Sequence, residues 1–430
     1  MSTAPTTTHA PHQFIRERAE APEVLPGLPS SVRPRRAVIA GIGLLTPLGI
    51  GARQTWRALL DGESITDHAR SAGEFDDSSP RVIQMACRAA AEAMRDANWK
   101  GETDETDDIA TVVGTSKGSV ESWLTPLQHM PGSTYVAGGV HPTALADIAT
   151  AVAPGCGPRL TLSGACASGL LALIRGAMLI ESGQARRVLV VAAEASVHPL
   201  FLASFGRLGI LAPPAIGCRP FDRHRQGFLM SEAAAAVCLE TQTDFEAPAG
   251  RAAGSPQAPQ SICQAIAIEH YAQGADAAHL TSPDPGGTVL RHLINKVTKN
   301  RPVDLIHAHG TGTRANDPIE LAALESAFAT APRASGLYSH KAALGHSLGA
   351  AGLISIVINT LAHRHNVIPP NPRTTDPLRT TRMTLHATAC ATPIRRSLAL
   401  AAGFGGATAA VTLVSSALDH TAGDERKASR

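Results

Sequence analysis

The 430-residue chain reads as an α/β protein built from two similar halves, and three features predict this. Short apolar runs rich in Val, Ile, Leu and Ala alternate with helix-length segments along most of the chain. The alternation occurs once before the low-complexity stretch 244–261 and again after it. Glycine clusters follow several of the strand-like runs, as expected where buried strands end in loops. Parallel or mixed sheets covered by helices are therefore expected in both halves.

Residues 1–35 are rich in Thr, Pro, Ala, Arg and Glu without periodicity and read as a disordered N-terminal arm. Order begins at Arg36-Ala-Val-Ile-Ala-Gly-Ile-Gly, a strand closed by glycines. Helices follow from Gly51 to Leu60 and from Val82 to Ala97, then a buried strand from Ile109 to Val113. Further helices are expected from Ser119 to Gln128 and from Pro142 to Ala153. Arg159 to Leu162 is a short strand, after which Ser163, Gly164 and Ala165 allow a tight turn. Leu170, Leu171, Leu173, Ile174, Ala177 and Met178 then recur with helical period, giving a buried helix.

Arg187-Val-Leu-Val-Val-Ala-Ala-Glu is a central strand, and residues 228–240 form another extended run. The stretch 244–261, dense in Pro, Gly and Ala, is an exposed loop between the halves. Beyond it come a strand from Ile262 to Glu269, a helix from Gly287 to Thr298 and a strand from Val303 to His307. A helix from Asp317 to Ala329, a long apolar helix from Gly349 to Ala362, and strands from Ser397 to Ala402 and Ala409 to Val414 complete the pattern. The expected organisation is an arm (1–35), a first half (36–261), a second half (262–417) and a flexible polar tail (418–430).

Composition narrows the function. A formal charge of +2 with 3% aromatic residues leaves no basic stripe for nucleic acid. The 7 cysteines (Cys87, Cys156, Cys166, Cys218, Cys238, Cys263 and Cys390) are scattered and form no C-x-x-C pair. A disulfide framework or zinc ribbon is not expected, and a reducing cytoplasm fits. Neither a long apolar span nor a hydrophobic signal core is found, so the expectation is a cytoplasmic protein without a membrane span.

The chemistry centres on Leu160-Thr-Leu-Ser-Gly-Ala-Cys-Ala-Ser-Gly, which places Cys166 at a strand-to-helix junction, at or within the first turn of the helix. Unpaired backbone N–H groups and the positive end of the helix dipole favour a thiolate there. Gly164 and Gly169 are expected to let other groups approach the sulfur. A single cysteine is ordinarily a structural one; three further glycine-flanked loops alter that balance. His309 lies in His307-Ala-His-Gly-Thr-Gly-Thr after a strand, and His346 lies in His340-Lys-Ala-Ala-Leu-Gly-His-Ser-Leu-Gly before the long helix. Gly403-Phe-Gly-Gly follows the strand that ends at Ala402. A thiolate can take up an acyl group, and two imidazoles can stabilise charge on a second carbonyl oxygen. His307 reads as a core or surface histidine. The His307/His309 pair has no third ligand nearby, so no metal is expected.

These motifs, in this order, resemble the β-ketoacyl-[acyl carrier protein] synthases, more narrowly the elongating Cys-His-His type of the thiolase-fold superfamily. The resemblance runs from Arg36 to Leu413 and includes Pro220-Phe-Asp-Arg and Asp276-Ala-Ala-His-Leu-Thr-Ser-Pro-Asp-Pro. The Cys-His-Asn pattern of initiating synthases and the second catalytic cysteine of thiolases do not fit. The resemblance implies a duplicated thiolase-like fold with five α-β-α-β-α layers. It implies that Cys166 holds the acyl chain, with the N–H groups of Cys166 and Phe404 as oxyanion hole and Phe404 as gate. Carrier-bound malonate would lose CO2, His309 and His346 would stabilise the enolate, and the carbanion would attack the acyl-Cys166 carbonyl to give a 3-ketoacyl thioester.

By the same resemblance Lys341 orders the site, Thr311 and Thr313 hold the phosphopantetheine arm, and Glu320 is a structural acid. An acyl carrier protein is the implied partner and brings the substrates on that arm, so no cofactor is implied. A homodimer is implied, or a heterodimer with a chain-length factor. Fatty acid, polyketide and polyene pathways all fit. The chain departs from the family at Gln226-Gly-Phe-Leu-Met-Ser-Glu-Ala, which lacks two usual glycines, and at Ala407-Thr408 in place of Thr-Asn. Two rivals are a non-catalytic synthase-like partner, which would lack the cysteine, and a cysteine acyl hydrolase, which would need a base for water.

Overall fold

The computed structural model describes residues 35–99, 109–122, 142–246 and 265–415. In chain order the first half contains β1 (Ala37–Thr46), β2 (Gly49–Ile50), α1 (Ala52–Leu60), α2 (Arg81–Asp96), β3 (Ile109–Gly114) and α3 (Pro142–Val152). It continues with β4 (Arg159–Leu162), α4 (Ser168–Glu181), β5 (Arg187–Glu194), α5 (Pro199–Arg207), β6 (Ala233–Thr241) and α6 (Gln242–Glu246). The second half contains β7 (Ile266–Ala275), α7 (Thr288–Thr298), β8 (Leu305–His307), α8 (Asn316–Ala327), β9 (Ser335–Tyr338) and α9 (Lys341–Leu344). A 3-10 turn (Leu348–Ala350) leads into α10 (Ala351–His365). Three short strands, β10 (Val367–Ile368), β11 (Met383–Thr384) and β12 (Cys390–Ala391), precede β13 (Arg396–Ala402) and β14 (Ala407–Ser415).

The duplication is written in the strand order. The first half runs β4-β3-β5-β6-β1 and the second runs β9-β8-β13-β14-β7. In each half the first strand pairs antiparallel with the last, and the last pairs antiparallel with the one before it. The remaining pairs, β5-β3-β4 and β13-β8-β9, are parallel. The halves meet where β1 and β7 pair antiparallel through Val38↔Ala267 and Ile39↔Ile266.

Side-chain alternation sorts each strand between two cores. In β5, Val188, Val190 and Ala192 face the central core while Leu189, Val191 and Ala193 face an outer one. In β13, Ala399 and Ala401 face the centre and Leu398 and Leu400 face the opposite outer core. Helices α4 and α10 fill the central layer against both halves, α2 and α3 cover one outside, and α7 and α8 the other. The result is the expected five-layered, thiolase-like α-β-α-β-α arrangement.

Being central sets what α10 is made of. Its residues Ala351 to His363 are all buried, consistent with a helix that is apolar around most of its circumference. Its polar exceptions find partners: His363 bonds Ser415 Oγ at 2.8 Å and Ser397 Oγ at 3.0 Å, and Thr360 donates to Ile356 O at 2.8 Å. Gly169 lies where α4 meets this layer, and a Cβ there would sit 2.9 Å from Leu353 N and 3.0 Å from Gly349 O. Its role is close helix packing, which corrects the expectation that it gives access to the Cys166 sulfur.

Other expectations shift. The strand expected over 262–269 is β7, Ile266–Ala275, because the full β14 ladder holds the mixed sequence Glu269-His-Tyr-Ala-Gln that alternation alone does not mark. Of the run 228–240 only Ala233 onward is strand; Phe228, Met230 and Ser231 make isolated bridges to Leu211, His346 and Ala69. The start of the expected loop 244–261 belongs to α6, with Phe245 buried, while 247–261 lies outside the described residues. The same is true of the N-terminal arm up to residue 34, the tail 418–430 and most of the helix expected over 119–128. The elements that went unforeseen include the short β2, α9, β10, β11 and β12, and also β9, too short for periodicity, and α5. That helix carries Pro199 in its first turn and is capped by His198, whose Nδ1 accepts from Leu200 N at 3.2 Å. Among the described residues no helix is long and apolar enough to cross a membrane.

Gly169→Ala forces a methyl group into the α4–α10 crossing. It is expected to lower the free energy of unfolding by about 1–3 kcal/mol, read as a shift of the guanidinium unfolding midpoint. An unchanged midpoint would show that the crossing can spread without cost.

Candidate active site

Four loops that follow the carboxyl ends of β4, β8, β9 and β13 meet over one cavity, where ligand sites gather in such sheets. The cavity has a volume of about 130 Å³. Cys166, His309, His346, Thr311, Thr313, Glu320 and Phe404 all line it, and Phe205, Phe228 and Ile210 supply apolar wall. Lys341 alone of the anticipated residues does not line it; it is buried behind His309.

Cys166 sits on an elbow before α4 rather than within its first turn. Ala167 caps the helix, and Ala165 takes a left-handed φ of 49°. Ala167 N donates to Gly164 O at 3.0 Å and Ser168 N to Ala165 O at 3.2 Å. Ser168 ties the elbow again, since its Oγ donates to Ala165 O at 2.6 Å and accepts from Gly164 N at 2.9 Å. Gly403, at the head of the Phe404 loop, lies flat against this elbow; a Cβ on it would fall 2.5 Å from Gly164 O and 3.1 Å from Cys166 N. Close approach to the Cys166 backbone thus depends on Gly403.

Electrostatics at the sulfur differ from the sequence expectation. Burial pushes the Cys166 thiol up to about 11, against the pull of the Lys117 and Lys341 cations, while Glu194 adds to the rise. Desolvation outweighs the neighbouring positive charge. The resting group is a thiol, not the thiolate that its place beside the helix N-terminus suggested.

The two histidine rings stand 5.7 Å apart between centroids at an interplanar angle of 80°. Burial, reinforced by Lys341, holds both imidazoles well below the usual histidine range, so both are neutral. Phe228 meets the His346 ring edge-to-face at 4.8 Å. The backbone on either side of His346 is clamped to the ribbon from Phe228 to Ser231, with His346 N donating to Leu229 O at 2.7 Å and Ser231 N to His346 O at 3.1 Å.

The loop after β8 is fixed by two carboxylates of α8. Glu320 accepts from His309 N at 2.6 Å and from Gly310 N at 2.8 Å. Asp317 Oδ1 accepts from Thr311 N and Gly312 N, both at 3.1 Å. Lys341 Nζ donates to His309 O, and Ser339 Oγ to Gly310 O at 2.8 Å. Burial lowers the Lys341 ammonium from its ordinary value, and Glu320 is the chief group opposing that. Thr311 and Thr313 share a hydrogen bond of 2.9 Å between hydroxyls on the cavity wall.

His307 has a different fate from His309. Its Nδ1 meets Asn359 Oδ1 at 2.9 Å and its Nε2 meets His340 Nδ1 at 2.8 Å, deep in the core. With both nitrogens engaged it is no metal partner for His309. Sequence reasoning missed Phe205, Phe228, Ser168 and Asp317. Asp317 had a signal, being three residues before Glu320 on one helix face; the two phenylalanines had none beyond the scarcity of aromatics.

Comparison with known proteins gives the family. The models named "Beta-ketoacyl synthase, N-terminal domain" and "Beta-ketoacyl synthase, C-terminal domain" match residues 72–244 and 264–375. The chain is 30% identical over 434 residues to 3-oxoacyl-[acyl-carrier-protein] synthase 2 of Rhizobium meliloti, with 88% of this chain and 98% of that protein covered. It is 28% identical over 389 residues to the tetracenomycin polyketide synthase ketoacyl synthase alpha subunit of Streptomyces glaucescens, covering 80% of this chain and 88% of that one. Among solved structures, the ishigamide ketosynthase/chain length factor superposes with a TM-score of 0.75 at 25% identity, covering 89% of this chain and 100% of that one. Sequence motifs, duplicated topology and relatives agree: the chain belongs to the β-ketoacyl synthase family of condensing enzymes.

Proposed function

We propose that Cys166, His309 and His346 carry a decarboxylative condensation between a Cys166-bound acyl group and a malonyl thioester. The observation behind this assignment is the convergence of one thiol and two neutral imidazoles in a single largely apolar cavity. Cys166 attacks the acyl thioester, its S–H proton leaves with the departing pantetheine thiol, and the N–H groups of Cys166 and Phe404 receive the transient oxyanion. Malonate then loses CO2, and the enolate oxygen takes hydrogen bonds from His309 and His346. Neutral imidazoles suit that task, because a ring held below its usual pKa donates a hydrogen bond without carrying charge into the pocket. The carbanion attacks the acyl carbonyl, Cys166 leaves as a thiolate that takes up a proton from solvent to restore the thiol, and a 3-ketoacyl thioester forms.

The other residues have supporting roles. Lys341 and Glu320 hold the His309 loop, Thr311 and Thr313 bind the pantetheine arm, and Phe404 gates the thiol. The arm enters along a surface groove that shares Ile210, Thr281, Ser282, Thr313, Ala315 and Phe404 with the cavity. The Rhizobium relative is named for an acyl-carrier-protein product, and the reading for this chain is the same: an acyl carrier protein delivers both thioesters, and no further cofactor takes part. A cytoplasmic homodimer is the working assembly. The alternative is a heterodimer with a chain-length factor, the pairing that the ishigamide ketosynthase/chain length factor is named for. The non-catalytic role is disfavoured because the thiol and both histidines are in place. The halves 36–261 and 262–417 divide the labour, the first supplying the nucleophile and the second both histidines.

Intact-mass spectrometry after incubation with acyl-carrier proteins of varied chain length should show one acyl adduct on the wild type and none on Cys166→Ala. His309→Ala and His346→Ala should still acquire the adduct, while 3-ketoacyl product formation falls by at least about 100-fold. Loss of the adduct itself in the histidine variants would assign them to acyl transfer instead.

The Cys166 thiol pushed up to about 11 makes a separate prediction. Its alkylation by iodoacetamide should keep accelerating, about tenfold per pH unit, until near that value. A plateau near pH 8.5 or below would show that neighbouring cations outweigh burial.

A further inference from the structure

Three separate segments of the second half carry its site residues: the loop after β8 carries His309, α9 carries Lys341, and the turn into α10 follows His346. Behind the cavity these segments are joined by a polar ladder that takes no part in the chemistry proposed above. Its members are His307, the last residue of β8, His340, the residue before α9, and Asn359, in the middle of α10. All three are fully buried.

The proton order in the ladder follows from its geometry. Burial holds both rings well below the usual histidine range, His307 at about 3, so each carries a single ring proton. His340 N lies 3.4 Å from His307 Nε2, and a backbone N–H can only donate, so that Nε2 is an acceptor. The His307 proton is then on Nδ1, where it donates to Asn359 Oδ1 at 2.9 Å. His340 Nδ1, 2.8 Å from the same Nε2, is a second donor to it. The ladder therefore runs one way, from His340 through His307 to Asn359, and turning either ring would break it.

Stability alone does not account for this arrangement. Asn359 Nδ2 and His340 Nε2 are buried without a hydrogen-bond partner among the described residues. Apolar side chains would fill the space without orphaning polar atoms, whereas hydrogen bonds fix direction as apolar contact does not. The strands already set one relation, since His307 pairs with Tyr338 across β8 and β9 and Ala308 N donates to Tyr338 O at 2.9 Å. What the ladder adds is α10, the helix that His346 leads into. His340 also lies near enough to His309 and His346 for their charges to be felt at its ring.

We propose that His307 and His340 are positioning residues for the condensation, locking the β8 loop to α10 so that His309 and His346 meet the same enolate oxygen. The proposal rests on the assignment of those two cavity histidines to the enolate. No bond is made or broken at the ladder; it transmits geometry alone.

The test compares two polar replacements of similar size. His340→Asn places an amide N–H where the ring Nδ1 stood, and His340→Gln places it nearer the Nε2 position. Each full-length protein is loaded from butyryl-pantetheine, read by intact mass, and 3-ketoacyl product is followed in a single turnover after malonyl-pantetheine is added. Loading should match wild type in both variants, because the Cys166 elbow belongs to the other half. His340→Asn should keep most of the product rate, while His340→Gln should lose about 10–100-fold, as expected when reacting groups are slightly misplaced. His307→Phe, which removes both ring nitrogens, should lose as much, and combining it with His340→Gln should cost no more, since both act through one ladder. Equal product rates in the Asn and Gln variants, additive losses in the double variant, or equal losses in loading and condensation would overturn the proposal while leaving the histidine assignment in place. A wild type that fails to load, or loads but forms no 3-ketoacyl product, would overturn the underlying assignment and this one with it.

Discussion

The site depends on how the backbone from His309 to Gly312 is held. Every N–H in that stretch is taken by a carboxylate of α8, two by Glu320 and two by Asp317. The carbonyls of His309 and Gly310 are taken by Lys341 and Ser339, and Thr311 O lies 3.6 Å from Cys218 Sγ. Buried backbone groups must be paired, and here side chains do what a sheet or helix would otherwise do. One helical turn of α8 and the residues just after β9 therefore fix a loop with no regular structure of its own. Because Lys341 lies five residues before His346, the same contact ties the two histidine loops together.

Burial then sets the chemical character of each group in the same direction. It raises the thiol, lowers the imidazoles and lowers the ammonium, each toward its neutral form. On the proposed reading, a neutral thiol beside two neutral imidazoles suits a reaction whose charged species are short-lived. In a poorly solvating pocket an enolate would be shielded from protonation by water, and hydrogen-bond donors would gain strength.

Much of this was legible in the chain, for physical reasons. Tight loops between elements need small residues, so Cys166, His309, His346 and Phe404 each announced themselves through nearby glycines. Strands buried on both faces read as plain apolar runs, which made β5 visible to the residue. What stayed hidden depends on distant partners. β7 owes its second half to β14, which begins more than a hundred residues later. Helix α5 has no buried face of its own and so no pattern to read. The protonation state of Cys166 was misjudged because a local view counts the helix terminus and not the desolvation produced by walls from elsewhere. Gly169 was misassigned likewise: the backbone it admits belongs to α10, not to a ligand.

The closure of each half has a consequence for synthesis. In both, the first strand lies between its sister half and the last strand made, so β1 has no long partner within its own half until β6 emerges. Nearly two hundred residues separate them, and a ribosome adding roughly 5–20 residues per second takes on the order of 10–40 s to deliver them. Throughout that interval the apolar ribbon Ala37–Thr46 is an open template for any other extended chain. The second half repeats the wait with β7 and β14, although by then β1 offers it two anchoring pairs. The first half is thus both the more exposed nascent intermediate and the nucleus on which the second assembles, which makes vectorial, amino-to-carboxyl folding the natural order for this duplicated architecture.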